Sequence, residues 1–213
     1  MTAPDHLLYR QVRLDIGLLA TRRVAAVPVP ACPEWTVADL VDHLVEVAGN
    51  VSARLGSPAG TALYDRADVD LALAEWDRVS RVLEPLVELE GPRSAARMVM
   101  DAFTHLLDLH AALDVPPDPE HPAYPSTLDL LVGGFSATVR AHDLPAVRIE
   151  SPGGTWTAGD GPVERTLRAG THDLHRSLSG RRSHADIAAL DWDGPHEPWL
   201  PAFTWGPFTP PSH

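Results

Sequence analysis

Three polar residues on one predicted helix have types and a spacing that suit metal binding. Asp101 and His105 are four residues apart, and Asp108 follows three residues later in the segment DAFTHLLD. Side chains spaced by three or four residues lie on one face of an α-helix, with Cβ atoms about 5–6 Å apart. A carboxylate and an imidazole held in this way can bind a divalent cation together. The catalytic zinc pattern of two histidines and one carboxylate then needs one further imidazole.

His43 is the candidate for that imidazole. It lies three residues after Leu40 and four before Val47, on the apolar stripe of another predicted helix. In a helical bundle such a stripe faces the other helices, so His43 can meet Asp101 and His105 across the core. Spacing alone leaves two structural alternatives open. His43 can be a hydrogen-bonded core histidine. Asp101 and His105 can be an exposed pair that contributes about 0.3–0.5 kcal/mol to stability.

Four amphipathic segments in the first half of the chain are predicted to position these residues. Their apolar side chains recur at helical spacing over residues 6–24, 36–51, 70–89 and 94–113. A proline-rich run at residues 116–126 cannot continue a helix and is predicted to be a linker. The first domain is therefore expected over residues 1–115.

The second half, residues 127–213, has a different pattern and predicts a small α+β domain. It contains a predicted helix at residues 128–142, a hairpin at 147–157, a strand at 163–168 and a helix at 171–178. The tail at residues 195–213 is rich in proline and aromatic residues. We expect it to cover its own domain, to close over the cleft, or to dock on a neighbouring molecule. The fold class predicted for the whole chain is a mix of α and α/β, with helices first.

Composition excludes several classes of protein. The chain carries 17 basic and 29 acidic residues, a net charge of −12, and every basic residue is arginine. An acidic surface repels phosphate backbones, which argues against nucleic-acid binding. No apolar run approaches the roughly 20 residues of a membrane span, and no signal pattern is seen at the N-terminus. With Cys32 as its only cysteine, the chain is expected to be cytoplasmic, and Cys32 is interpreted as a buried structural residue.

Several of these segments resemble the mycothiol-dependent maleylpyruvate isomerase family, whose first domain is a DinB-like metal-binding four-helix bundle. Residues 32–37 (CPEWTV) and 39–44 (DLVDHL) resemble its Trp-Thr-Val…Asp-Leu…His-Leu signature, and residues 101–108 resemble its second motif. Residues 178–183 (LSGRRS) and 190–194 (LDWDG) are similar to its C-terminal domain. The resemblance covers nearly the whole chain, and the order and spacing of the motifs make it more specific than any single motif.

The resemblance implies zinc, or another divalent metal, on His43, Asp101 and His105. Asp101 stands where the family usually has the longer glutamate. Asp108 is expected to hold an imidazole N–H from outside the metal shell, or else to be an exposed helix charge. The implied exogenous ligand is mycothiol, a thiol of GC-rich actinobacteria, and the lysine-free composition fits such a host. The thiol would add to an activated double bond, allow rotation and leave, or would be transferred to an electrophile.

Arg181 falls at the Gly-Arg position of the C-terminal motif. We hypothesise that it reaches the cleft between the domains and binds a carboxylate of the substrate or of the thiol; an exposed surface arginine is the alternative. A second metal cluster at His172, His175 and His184 is discounted, because no carboxylate–imidazole pair converges there. Two other functions stay open: a thiol-independent metal hydrolase and a non-catalytic metal-binding or ligand-binding module. The oligomeric state, monomer or homodimer, is also open.

Overall fold

The computed structural model describes residues 4–57 and 62–212, and it divides the chain into two compact units, Met1–Asp118 and Pro119–His213. The first unit contains four helices: α1 (Asp5–Leu19), α2 (Val37–Arg54), α3 (Val69–Glu90) and α4 (Pro92–Ala112). The most extensive helix contacts join α1 to α4 and α2 to α3. The predicted helical first half is therefore confirmed.

The apolar stripes of these helices form the core of the first unit. The fully buried side chains include Leu8, Ile16, Leu40, Leu44, Trp76, Leu83, Phe103 and Leu106. A buried ion-pair network adds to this core. Arg13 contacts Glu84 at 3.0 Å, and Arg10 donates to the same carboxylate, which joins α1 to α3.

Two helix boundaries differ from the prediction. Helix α1 ends at Leu19 rather than near residue 24, because the apolar stripe stops there and residues 22–26 form turns. Helix α5 (Tyr124–Ala141) begins one turn before residue 128, so residues 124–126 belong to a helix and not to the linker. Pro125 fits the first turn of α5, since the N–H groups of that turn have no intrahelical partner.

The second unit contains α5 and a four-stranded sheet with strand order β2-β1-β3-β4. Strands β1 (Ala146–Ser151) and β2 (Gly154–Ala158) pair antiparallel, which confirms the predicted hairpin. Strand β3 (Val163–Arg168) pairs parallel with the other edge of β1, and the two-residue β4 (Asp191–Trp192) pairs antiparallel with β3. Helix α6 (Thr171–Leu178) has the predicted bounds, and a short α7 (His184–Ala188) follows it. The fold class of helices followed by a small sheet domain is confirmed.

The aromatic tail packs within the second unit. A 3₁₀ helix at Glu197–Phe203 buries Trp199 and Phe203, and the Phe203 ring lies 4.5 Å from that of Phe135 on α5. The indole N–H of Trp205 donates to the carbonyl of Leu178 at 2.9 Å. His213, the last residue of the tail, lies outside the described residues. Of the helices in residues 4–57 and 62–212, none has the length and apolarity needed to cross a membrane.

Candidate metal centre

The start of α2 is held by a capping box, which determines where His43 lies on this helix. The Thr36 hydroxyl accepts from the Asp39 N–H at 3.4 Å, and the Asp39 carboxylate accepts from the Thr36 N–H at 2.8 Å. The Thr36 hydroxyl also donates to the Asp39 carboxylate at 2.7 Å; this bond, followed by the bond from the Thr36 N–H, lowers the pKa of Asp39. With its first turn held in this way, α2 presents His43 two turns into the helix.

The structure brings His43 together with Asp101 and His105. One ligand atom from each of the three side chains lies within 4.8 Å of the other two. The imidazole rings of His43 and His105 are 5.0 Å apart, edge to face. His105 is buried, whereas His43 and Asp101 are half-buried, so the group lies at the edge of the bundle core. The helical spacing thus placed the three residues on facing sides of α2 and α4.

Asp108 lies against the far side of the His105 ring. Its carboxylate oxygen is 3.1 Å from His105 Nδ1, and its side chain is completely buried. A buried carboxylate at this position accepts the Nδ1–H, which leaves the lone pair of the ring on Nε2. The exposed-charge alternative for Asp108 is therefore wrong, because the carboxylate is inside the bundle.

Trp35 is a contact of both imidazoles that the sequence did not reveal. Its ring lies 4.8 Å from that of His43 and 5.8 Å from that of His105. The loop before α2 holds it there: the Trp35 N–H donates to the Cys32 carbonyl at 2.8 Å, and its own carbonyl accepts from Val29. An aromatic residue directly before the helix cap was the only signal, and it did not indicate which side chains the indole would cover.

Cys32 is also placed differently from the prediction. It is half-buried rather than buried, and its sulfur, a His105 ring nitrogen and an Asp108 oxygen lie within 4.8 Å of one another. Cys32 has no histidine close to it in sequence, because His105 and Asp108 belong to a helix some seventy residues later. The imidazole of His105 is therefore shared between two candidate ligand groups.

The first of these groups fits a divalent cation better. Two imidazole nitrogens and one carboxylate oxygen are the donor set of many catalytic zinc sites, which keep a fourth position open. In the second group, the Asp108 carboxylate already accepts from the His105 nitrogen it faces. A carboxylate behind a ligating histidine is the usual outer partner of such a site. His43, Asp101 and His105 are therefore the candidate ligands of a cation, and Asp108 is the hydrogen-bond partner of His105.

An open cavity of about 280 Å³ adjoins His43. Trp35 forms one wall, and the other residues that line the cavity with His43 are acidic: Glu34, Asp39, Asp42 and Glu46. Asp42 accepts from the Tyr64 hydroxyl and pairs with Arg66 at 2.9 Å. This acidic opening and the candidate metal centre thus share His43.

The remaining predicted residues lie in the second unit. Arg181 follows α6, is half-buried, and donates to the Ser179 carbonyl at 2.8 Å. His172 lies 3.2 Å from the Tyr124 hydroxyl, and His175 is fully buried. Among the described residues, neither of the two groups that could hold a metal ion includes His172 or His175.

Comparisons with known proteins identify one sequence family and two similar solved structures. The sequence family described as mycothiol maleylpyruvate isomerase N-terminal domain matches residues 15–146, more than half of the chain. A crystal structure of the mycothiol-dependent maleylpyruvate isomerase aligns with a TM-score of 0.55 and 12% identity, covering 89% of this chain and 91% of that one. A crystal structure of a histidine-to-alanine mutant of that isomerase aligns with a TM-score of 0.59 and 11% identity, and it also covers 89% of this chain and 91% of that one. No curated protein matches the sequence.

Proposed function

This chain belongs to the mycothiol maleylpyruvate isomerase family, and from that membership we propose that it is a metal-dependent enzyme that uses a low-molecular-weight thiol. The proposed reactions are cis–trans isomerisation of an electrophilic small molecule and transfer of the thiol sulfur to it. The proposed cosubstrate is mycothiol, and the proposed metal is zinc. The observation that carries the proposal is the convergence of His43, Asp101 and His105 within 4.8 Å.

The donor set determines what the site can supply. When bound, a zinc ion with one open position lowers the pKa of a thiol or water that occupies that position. His43 and His105 supply neutral nitrogens, and Asp101 supplies one negative charge. Asp108 holds the proton of His105 on Nδ1 and so keeps Nε2 available. The Trp35 ring packs beside both imidazoles.

Isomerisation needs only the thiol and the substrate double bond. The sulfur forms a bond to one carbon while the double bond becomes single, and the electron pair moves to the activating carbonyl group. The single bond rotates, the pair returns, and the carbon–sulfur bond breaks to release the thiol. Because this chemistry requires a reduced thiol, we place the proposed enzyme in the cytoplasm. For Arg181 we keep the proposal that it binds a carboxylate of the substrate or of the thiol.

Metal content and thiol-dependent turnover of single variants test the proposal. We expect about one zinc per chain in the native protein. His43→Ala and His105→Ala should lose the metal and at least 100-fold of the thiol-dependent activity, because two ligands hold zinc poorly. His110→Ala is the matched control, since this histidine lies at the end of α4 beside the Val115 carbonyl and outside both ligand groups.

Three results would contradict the proposal, and each has a specific meaning. Retention of the metal by His43→Ala and its loss in Cys32→Ala would assign the cation to the second ligand group. Turnover that is independent of any thiol would identify a metal hydrolase. A protein without stoichiometric metal, and with unchanged stability in a chelator, would be a non-catalytic module.

A further inference from the structure

The acidic opening beside His43 carries information on the substrate. We propose that it selects neutral or cationic electrophiles and disfavours dianionic ones, a class that includes maleylpyruvate itself. This inference rests on the proposed function, because it concerns the substrate of the same site. It is carried by the position of a cavity against a candidate ligand, and by the charges that line that cavity.

The cavity and the candidate metal centre share His43, so a substrate that reaches the centre on this side passes the lining residues. Glu34 and Glu46 are exposed side chains on that lining. Asp39 is held by the hydroxyl and the N–H of Thr36, which are neutral donors that stabilise its negative charge without cancelling it. Three carboxylates therefore keep their charge at the opening.

Asp42 is the fourth carboxylate and is compensated in part. Burial, and after it the hydrogen bond to Asp42, raise the pKa of Tyr64, so the phenol remains a neutral donor. Arg66 pairs with Asp42 at 2.9 Å, but its side chain is 74% exposed, and solvent screens such a pair. Among the described residues that line the cavity, none is cationic. The residues that line the opening consequently carry a net negative charge.

The expected size of the selection follows from Coulomb's law. A unit negative charge on the substrate, about 8 Å from a lining carboxylate, is repelled by that carboxylate. At physiological salt this distance is about one Debye length. Summed over three carboxylates and a doubly charged substrate, this repulsion corresponds to about a tenfold loss of kcat/KM. A neutral substrate of the same shape does not experience it.

Dimethyl maleate and maleate form a matched pair of cis electrophiles, one neutral and one dianionic. Their thiol-dependent conversion to the trans isomers would be measured with the zinc-loaded protein and with the double variant Glu34→Gln and Glu46→Gln. We expect the ratio of kcat/KM for maleate to kcat/KM for the diester to rise about threefold or more in the double variant. The gain should shrink as salt increases. Glu88→Gln, on an exposed face of α3, removes a carboxylate that does not line the opening; it is the control and should leave the ratio unchanged.

A second measurement does not depend on turnover. Paramagnetic nitroxides of opposite charge, 4-amino-TEMPO and 4-carboxy-TEMPO, broaden NMR signals according to how often each probe approaches them. We expect the cationic probe to relax the Trp35 ring protons at least threefold more than the anionic probe. The ratio of relaxation by the cationic probe to relaxation by the anionic probe should fall in the double variant and stay the same in Glu88→Gln.

The possible outcomes distinguish a failure of the charge selection from a failure of the proposed function. Equal relaxation of Trp35 by both probes, or an unchanged substrate ratio in an active double variant, would overturn the charge selection. Turnover of maleate that is faster than that of the diester, and that is lost in Arg181→Ala, would also overturn the charge selection. It would support an anion-binding role for Arg181. Absence of turnover with both electrophiles, together with the expected probe ratios, would contradict the proposed function and support the charge selection alone.

Discussion

At the residue scale, the imidazole of His105 has neighbours of two kinds. Asp108 contacts Nδ1 at 3.1 Å, and one ring nitrogen lies within 4.8 Å of ligand atoms of His43 and Asp101. Histidine binds metals through a neutral nitrogen, so the group that holds the proton on Nδ1 determines whether Nε2 is available. In the proposed site, the buried carboxylate of Asp108 would therefore act on the metal through His105 and not by direct contact.

Asp108→Asn should weaken metal binding by about 10–100-fold, the usual cost of losing an outer partner of a ligating histidine. The amide has nearly the shape of the carboxylate but accepts the Nδ1–H less strongly, so the His105 tautomer is held less firmly. Competition with a chromophoric chelator measures the zinc affinity directly.

The control for this prediction is Asp114→Asn, an exposed aspartate just beyond α4. Its zinc affinity should equal that of the native chain. The unfolding of both metal-free variants, followed by circular dichroism, separates a loss of metal affinity from a loss of fold. Unaltered affinity in Asp108→Asn would show that this carboxylate only fills the core.

At the scale of the elements, two adjacent glycines in α5 have different surroundings. A Cβ added to Gly134 would lie 2.1 Å from a ring carbon of Trp205, whereas one added to Gly133 would have no neighbour within 4 Å. The Trp205 ring is itself held by its hydrogen bond to the Leu178 carbonyl. Gly134 thus provides the space in which the aromatic tail packs on α5.

Gly134→Ala should lower the free energy of unfolding by about 1–2 kcal/mol, because the overpacking cost of about 1–3 kcal/mol exceeds the helix-propensity gain of alanine. Gly133→Ala is the matched control and should raise it by up to about 1 kcal/mol, since only the propensity changes. Urea unfolding followed by tryptophan fluorescence measures both. Two alanine variants of equal stability would mean that Trp205 does not pack against Gly134.

Helical periodicity predicted much at this scale and lost accuracy where the chain leaves regular structure. It located the four helices and placed His43, Asp101 and His105 on facing sides, because side-chain direction repeats along a helix. It could not place Trp35 or Cys32, since both lie in the loop before α2, where no period relates position to direction. The parallel pairing of β1 with β3 was also missed, because strand order depends on contacts that no local pattern contains.

At the scale of the whole molecule, the fold lowers the pKa of several carboxyl groups that contribute to the net charge of −12. The Arg54 guanidinium, and next the Ser94 hydroxyl, lower the pKa of Glu90 from 4.5 to about 2. Arg54 lies at the end of α2 and Glu90 at the end of α3, so this pair joins two helices of the bundle. Lowered pKa values are also found for Asp39, Glu75, Asp186, Asp193 and Glu197.

These shifts predict a loss of stability in acid. A carboxyl group whose pKa is lower in the folded chain stabilises the fold above its unfolded pKa, and this contribution disappears as the pH falls through the folded pKa. For Glu90 the window runs from about pH 4.5 down to about pH 2. Below it, the 17 arginines and 11 histidines leave a positive chain that repels itself, which adds to the loss.

Arg54→Gln should flatten the acid dependence in that window, because Glu90 then titrates at nearly the same pH in the folded and unfolded chains. Urea unfolding at a series of pH values, followed by far-UV circular dichroism, gives the slope of stability against pH. Arg23→Gln, an exposed arginine in the turns after α1, removes the same charge and should keep the native slope. If the slope of Arg54→Gln between pH 4.5 and 2 matched that of Arg23→Gln, the contact with Arg54 would not be what keeps Glu90 ionised, and the acid sensitivity would follow from net charge alone.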